Sequence, residues 1–70
     1  MSALYNDLPL VEGTYVLMQD VDRFNNVDYD TFREAEINMQ HAQLDGEDDM
    51  WIGFVEDLGG SHLEILFVCN

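Results

Sequence analysis

The sequence predicts an α+β domain of order β-α-β-β, with one helix packed on a three-stranded antiparallel or mixed sheet. Three patterns lead there. A β-branched and aromatic run, Gly13–Val21, has strand character. Phe32, Ala35, Met39 and Ala42 recur at helical spacing. Two alternating runs flank "LGGS", whose glycines suit a turn that needs positive φ, so the chain end reads as a β-hairpin.

A single domain spans 1–70, with 1–10 as a lead-in. Pro9 restricts Leu8 and has no N–H to give a sheet. In Gly13–Val21, Tyr15 and Leu17 point one way and Thr14, Val16 and Met18 the other. Both sides are fairly apolar, which predicts a central or doubly covered strand. Asp22–Asn26, "DRFNN", reads as a turn.

The helix is expected over Asp28–Leu44. With Asp28 as N-cap, Val27 at N′ would meet Phe32 at N4 in a hydrophobic staple, and Asp30 would sit in the first turn, where the helix dipole favours an anion. With Thr31 as N-cap, Glu34 would complete a capping box. The Asp28 start is preferred because it uses Asp30. Ile37 or Leu44 would widen the inward stripe, and Gly46 would end the helix at or just beyond C′.

Met50–Asp57 and His62–Cys69 are the hairpin strands. On the first, Met50, Ile52 and Phe54 oppose Trp51, Gly53 and Val55. On the second, Leu63, Ile65, Phe67 and Cys69 oppose Leu66 and Val68, which share a face with His62 and Glu64. One helix covers one sheet face. The other face would retain some of Val16, Trp51, Val55, Leu66 and Val68, and an apolar patch of that kind is usually an interface. A partner, or a second copy of the chain, is therefore expected on it. The competing expectation is that Leu4, Tyr5, Leu8 and Leu10 fold back over that face.

Composition narrows the function. The chain has 70 residues, of which 47% are apolar, enough for a small core but too apolar for an acidic disordered tail. Cys69 is the one cysteine, so no internal disulfide is expected. No basic region precedes an apolar run at the N-terminus, and no apolar stretch is long enough to span a bilayer. A soluble cytoplasmic protein is expected.

Charge is the extreme feature. Fifteen acids stand against two arginines and no lysine, a formal net charge of -13. Solubility is served by a magnitude of about 2 to 8, and further like charge destabilises a compact state. Direct binding to nucleic acid or to an anionic membrane is not expected, because such binding draws on Lys and Arg.

Several chemistries fit poorly. A calcium loop begun at Asp45 would use Asp45, Glu47, Asp49 and Glu56, but Met50 stands where the loop's sharp turn requires Gly. His41, His62 and Cys69 are far apart in sequence and have no metal-ligand spacing. "GGSH" lacks the strand-to-helix context of a nucleophile elbow. No enzyme activity, metal or cofactor is expected.

What so much negative charge can do is follow from a magnitude. A chain of this size has a radius of gyration of about 11 Å and a diameter on the order of 30 Å. Duplex DNA of that length carries roughly 18 charges. A nucleic-acid (DNA) mimic is therefore the leading expectation: a small acidic inhibitor steered onto a basic nucleic-acid-binding protein or enzyme. In type, the chain resembles the short acidic proteins that bacteriophages use against host DNA-handling or defence proteins. The expected partner-binding residues are Asp30 and Glu34 on the helix, then Asp45, Glu47, Asp48 and Asp49. Trp51 would be an anchor, and Glu56 and Asp57 lie near the hairpin turn. The alternative is an acidic adaptor or accessory subunit that binds one protein through an exposed apolar sheet face or strand edge.

Overall fold

β3, Tyr15–Gln19, lies inside a four-stranded antiparallel sheet of order β4-β3-β5-β6. The other strands are β4 (Asp22–Arg23), β5 (Met50–Asp57) and β6 (Leu63–Cys69), and the helix α1 is Phe32–Leu44. A separate two-stranded hairpin pairs β1 (Leu4–Tyr5) with β2 (Leu8–Pro9). The structure, a computed structural model, describes the backbone of residues 4–5, 8–60 and 62–70 and the side chains of 10–60 and 62–70. The fold is α+β, as the sequence predicts, with four strands in the main sheet where three were expected.

The extra strand comes from the segment read as a turn. The loop Asp20–Val21 holds Asp20 at φ 56, a left-handed conformation that Asp tolerates better than most residues. That reversal lays Asp22 opposite Gln19 and Arg23 opposite Met18. β3 itself is shorter than Gly13–Val21, because its two ends are used for turns.

α1 begins later than the preferred Asp28 cap. Tyr29 and Tyr15 exchange both backbone hydrogen bonds at 2.8 Å, which holds Tyr29 extended and forbids helix there. Thr31 is the N-cap, and its Oγ1 accepts from the Glu34 N–H at 3.2 Å. Val27 is exposed, so no staple forms, and Asp30 lies outside the first turn. The helix ends as a Schellman turn: Gly46 N donates to Gln43 O and Glu47 N to Ala42 O, with Gly46 at φ 97, where a side chain would be strained.

The core has two layers. On the helix side, Leu17, Tyr29, Ala35, Met39, Ala42, Met50 and Ile52 are buried, with Tyr15, Phe24, Phe32 and Cys69 against them. Ile37 and Leu44 were expected to widen the helix stripe, but both are exposed, Leu44 by 85%. Small Ala35 and Ala42 leave only a narrow helix face for the sheet.

On the other side, Val16, Met18 and Val55 pack with Leu10, flanked by Trp51, Leu63 and Ile65. Gly13 N donates to Val55 O, and Thr14 Oγ1 donates to Val11 O at 2.7 Å, which ties the incoming chain to the sheet. The face expected to stay open is therefore closed over Val16 and Val55, and Leu10 is part of that cover. The Leu4, Tyr5 and Leu8 side chains lie outside the described residues. Leu66 pairs with Phe54, whose ring meets Tyr15 at 4.9 Å, so Leu66 belongs to the helix face. Cys69 does too, against the expected alternation. The register shifts between Ile52, opposite Cys69, and Gly53, opposite Phe67, so Val68 is an extra residue and Cys69 changes sides.

Gly53 is required by close approach. A Cβ there would strike Ile65 Cγ2 and lie 3.2 Å from Trp51 Cζ3. Gly53→Ala should lower stability by about 1–3 kcal/mol, read as a drop in the urea midpoint with an unchanged m-value. Thr31→Ala should cost about 1 kcal/mol by the same measurement, whereas Asp28→Ala should leave helix content unchanged by far-UV circular dichroism.

Candidate partner-binding surface

Strand direction sorts the acids into two groups. β3 runs toward Asp20 and β5 runs back from Met50, which pairs with Gln19. α1 ends beside that same edge, so the α1–β5 connection meets the β3–β4 loop. Asp20 N donates to Asp49 O at 2.9 Å, and Gln19 Nε2 donates to Glu47 Oε1 and to Asp48 O, both at 3.0 Å. Asp45, Glu47, Asp48 and Asp49 thus gather with Asp20 at one end of the sheet.

The other end is set by Tyr15, which pairs with both Tyr29 and Phe54. Asp28, Asp30 and Glu34 lie there at the helix start. Glu56, Asp57 and Glu64 lie on the part of the hairpin that runs past Tyr15. At about 3.4 Å per residue, β5 separates the two acidic ends by roughly 24 Å. The residues expected at the interface therefore do not form one patch. Asp30 and Glu34 were both expected on the helix, but Asp30 precedes the cap and only Glu34 lies on it.

Outward, the molecule is almost purely anionic. Every described Asp and Glu is exposed except Glu36, which is half-buried. One of the two arginines is turned inward: the Arg23 side chain is 2% exposed, its Nη2 donates to Val27 O at 3.1 Å, and it stands 3.5 Å from Asp28. Among the described residues, Arg23 Nε is buried with no hydrogen-bond partner. Arg33 remains as the exposed arginine.

Several acids sit where they cost stability. Asp45 and Glu47 sit in the turn that ends the helix, and Asp48 and Asp49 follow it; the dipole disfavours anions within that turn by about 0.3–1 kcal/mol each and less beyond it. Glu56 faces Glu64 directly across the hairpin, a like-charge pair. His62 Nε2 lies 2.9 Å from Glu64 Oε1 and is the neighbouring group that can offset it. Among the described residues, no group of three or more His, Cys, Asp or Glu is arranged to hold a metal ion.

Trp51 is half-buried rather than free. Its Nε1 donates to Asp20 O at 2.7 Å, and its ring meets Phe67 at 5.7 Å. The indole is thus pinned beside the denser acidic end. Phe67, which sequence reasoning did not select, is 63% exposed and extends the aromatic surface. The one sequence signal for it was its alternation with Ile65 and Leu63.

Comparison with known proteins finds no matching family model, no matching curated protein and no matching solved structure. Among the described residues, no helix is long and apolar enough to cross a membrane.

Glu64→Lys should stabilise the chain by about 0.2–1 kcal/mol through an opposite-charge pair with Glu56, measured by urea unfolding at low salt. Asp48→Asn with Asp49→Asn should also raise stability, by about 0.3–1 kcal/mol per removed charge at most, and the gain should shrink in high salt.

Proposed function

We propose that the protein is a nucleic-acid mimic, a small acidic inhibitor that occupies the nucleic-acid site of a basic binding protein or enzyme. It acts in the cytoplasm, without catalysis or cofactor, in the manner of a phage-type inhibitor of a host or defence protein. The observation that carries this reading is the segregation of charge: carboxylates outward at both ends, Arg23 inward.

The dimensions sharpen the comparison. The body measures 38 × 21 × 16 Å. A net charge of -13 over 38 Å is one charge per about 2.9 Å. Duplex DNA carries one per about 1.7 Å and each strand one per about 3.4 Å. The charge density therefore falls between a single strand and a duplex, below the duplex-like value expected for a rounder body. Acids at a helix C-terminus and in a like-charge cross-strand pair support the same reading, since solubility alone is met by acids placed elsewhere at less cost.

A second reading, the acidic adaptor, draws on Trp51 and Phe67, an aromatic pair at the surface. It also draws on the outer position of β6 in the sheet. Dimerisation through the sheet face has less to recommend it than the sequence implied, because Leu10 joins the cover over Val16 and Val55 and two such anions repel.

The test is capture of the partner from a candidate host, followed by titration of the purified pair with labelled DNA or RNA. The mimic should displace the nucleic acid, and its affinity should fall by about tenfold or more between about 50 and 300 mM salt. Asp48→Asn with Asp49→Asn should weaken it while the fold gains stability. A partner that holds its nucleic acid normally in the complex would sink the mimic reading, and affinity indifferent to salt would favour the adaptor.

A further inference from the structure

β6 is the long outer strand of the main sheet, seven residues against two in β4 at the opposite edge. The ladder fixes which of its backbone groups face outward. Val55 N donates to Thr14 O and Val55 O accepts from Gly13 N, so both groups of Val55 point away from β6. Alternation then turns Phe54 and Glu56 toward β6, where they meet Leu66 and Glu64. The N–H and C=O groups of Leu63, Ile65 and Phe67 therefore point off the sheet. Natural edges are usually blunted by Lys, Pro, inward charges or bulges. β6 has neither Lys nor Pro, Glu64 is its one charged residue, and its bulge at Val68 lies past Phe67, so the stretch Leu63–Phe67 pairs with β5 in regular register.

Two features beside this edge specify what would pair with it. On one face, the Phe67 ring meets Trp51 at a tilt and stands exposed next to half-buried Ile65. On the other, Glu56 and Glu64 oppose each other, both exposed, with His62 on Glu64 as the neighbouring group that can donate to them. The first calls for an apolar side chain and the second for a cation. A second copy of this chain would bring apolar side chains on the same strand but no lysine, and it adds a further charge of -13 beside the Glu56–Glu64 pair.

We propose that the β6 edge binds an extended basic segment of a partner as a fifth, antiparallel strand. Lys or Arg in the segment lies beside Glu64 and Glu56, and alternating apolar residues lie beside Ile65 and Phe67. Backbone bonds to Leu63, Ile65 and Phe67 give the affinity, and the two faces give the register. This docking mode rests on the basic-partner reading above and names the element that would carry it.

The test uses the full chain, ¹⁵N-labelled, and three capped (Lys-Val)4 peptides of equal charge: unmodified, N-methylated at every Val, and N-methylated at every Lys. Opposite Ile65, the Val N–H groups face β6, while opposite Glu64 the Lys N–H groups face solvent. The unmodified and Lys-methylated peptides should bind alike and slow hydrogen exchange at Leu63, Ile65 and Phe67. The Val-methylated peptide should bind about tenfold or more weaker. Glu64→Gln and Phe67→Ser, each checked for an unchanged fold by its spectrum, should each weaken the unmodified peptide several-fold.

Three results would overturn the proposal: no peptide binding, equal binding by both methylated peptides, or a peptide-free dimer in sedimentation with the same three amides protected. Equal binding with shifts confined to Asp45–Asp49 would do so while leaving the mimic reading intact. Conversely, edge pairing that holds while the captured partner keeps its nucleic acid would refute the mimic and preserve the edge.

Discussion

The β3–β5 ladder is buried on both faces, and everything else in the molecule is attached to it. Leu17 and Ile52 receive the helix on one side, while Val16 and Val55 receive Leu10 on the other, all four fully buried. Burial of a Val, Leu or Ile side chain is worth about 1.5–3 kcal/mol. A chain this short has few residues to spend on a core, and using both sides of two strands roughly doubles what each contributes. That economy leaves α1 free to be polar over most of its circumference. It also leaves nearly every carboxylate outside, where water and salt moderate their repulsion.

The same constraint explains Arg23. β4 is only two residues long, and the chain must then return to the Tyr15 end of the sheet before α1 can start. Arg23 bridges that return, with one guanidinium nitrogen on Val27 O and near Asp28. Asn25 supports it from within the loop by donating to the Tyr29 hydroxyl at 3.2 Å. A buried cation with an unsatisfied Nε is a poor source of stability compared with an apolar residue of similar volume. Its effect on the surface is clear, since it removes half of the arginine charge from the exterior.

What the sequence made legible were the features decided locally. β5, the body of α1 and the glycine turn are each encoded by periodicity or turn chemistry within a short window. The exposed acids and Trp51 belong to the same group, because a carboxylate has few places to go in a small domain. What escaped were the outcomes of long-range pairing. Thr31 rather than Asp28 caps the helix because Tyr15, far back in the chain, holds Tyr29 extended. β4 forms because Asp20 accepts a left-handed turn that no glycine announces. Cys69 changes faces because one extra residue, Val68, enters the ladder. The surface was misjudged for the same reason. Phe67 is exposed, and Val16 and Val55 covered, only once the bulge, Gly53 and Leu10 are placed together.

For the proposed basic partner, the separation of the acids into two ends would divide the work of recognition by distance. Charges roughly 24 Å apart act on an approaching basic body before any contact, over a range set by a screening length of about 8–10 Å beyond each end. They would raise the encounter rate and orient the long axis, but exposed and screened charges contribute little to holding a complex once it forms. Residence depends on short-range burial and backbone pairing. Those are available between the acidic ends: the Trp51–Phe67 pair adjoins one end, and Glu56 and Glu64 mark the other, with the outward groups of β6 running between them. A basic partner of the kind proposed would thereby be aligned along β6. The arrangement that spreads self-repulsion along the body also leaves its longest edge strand between the two acidic ends.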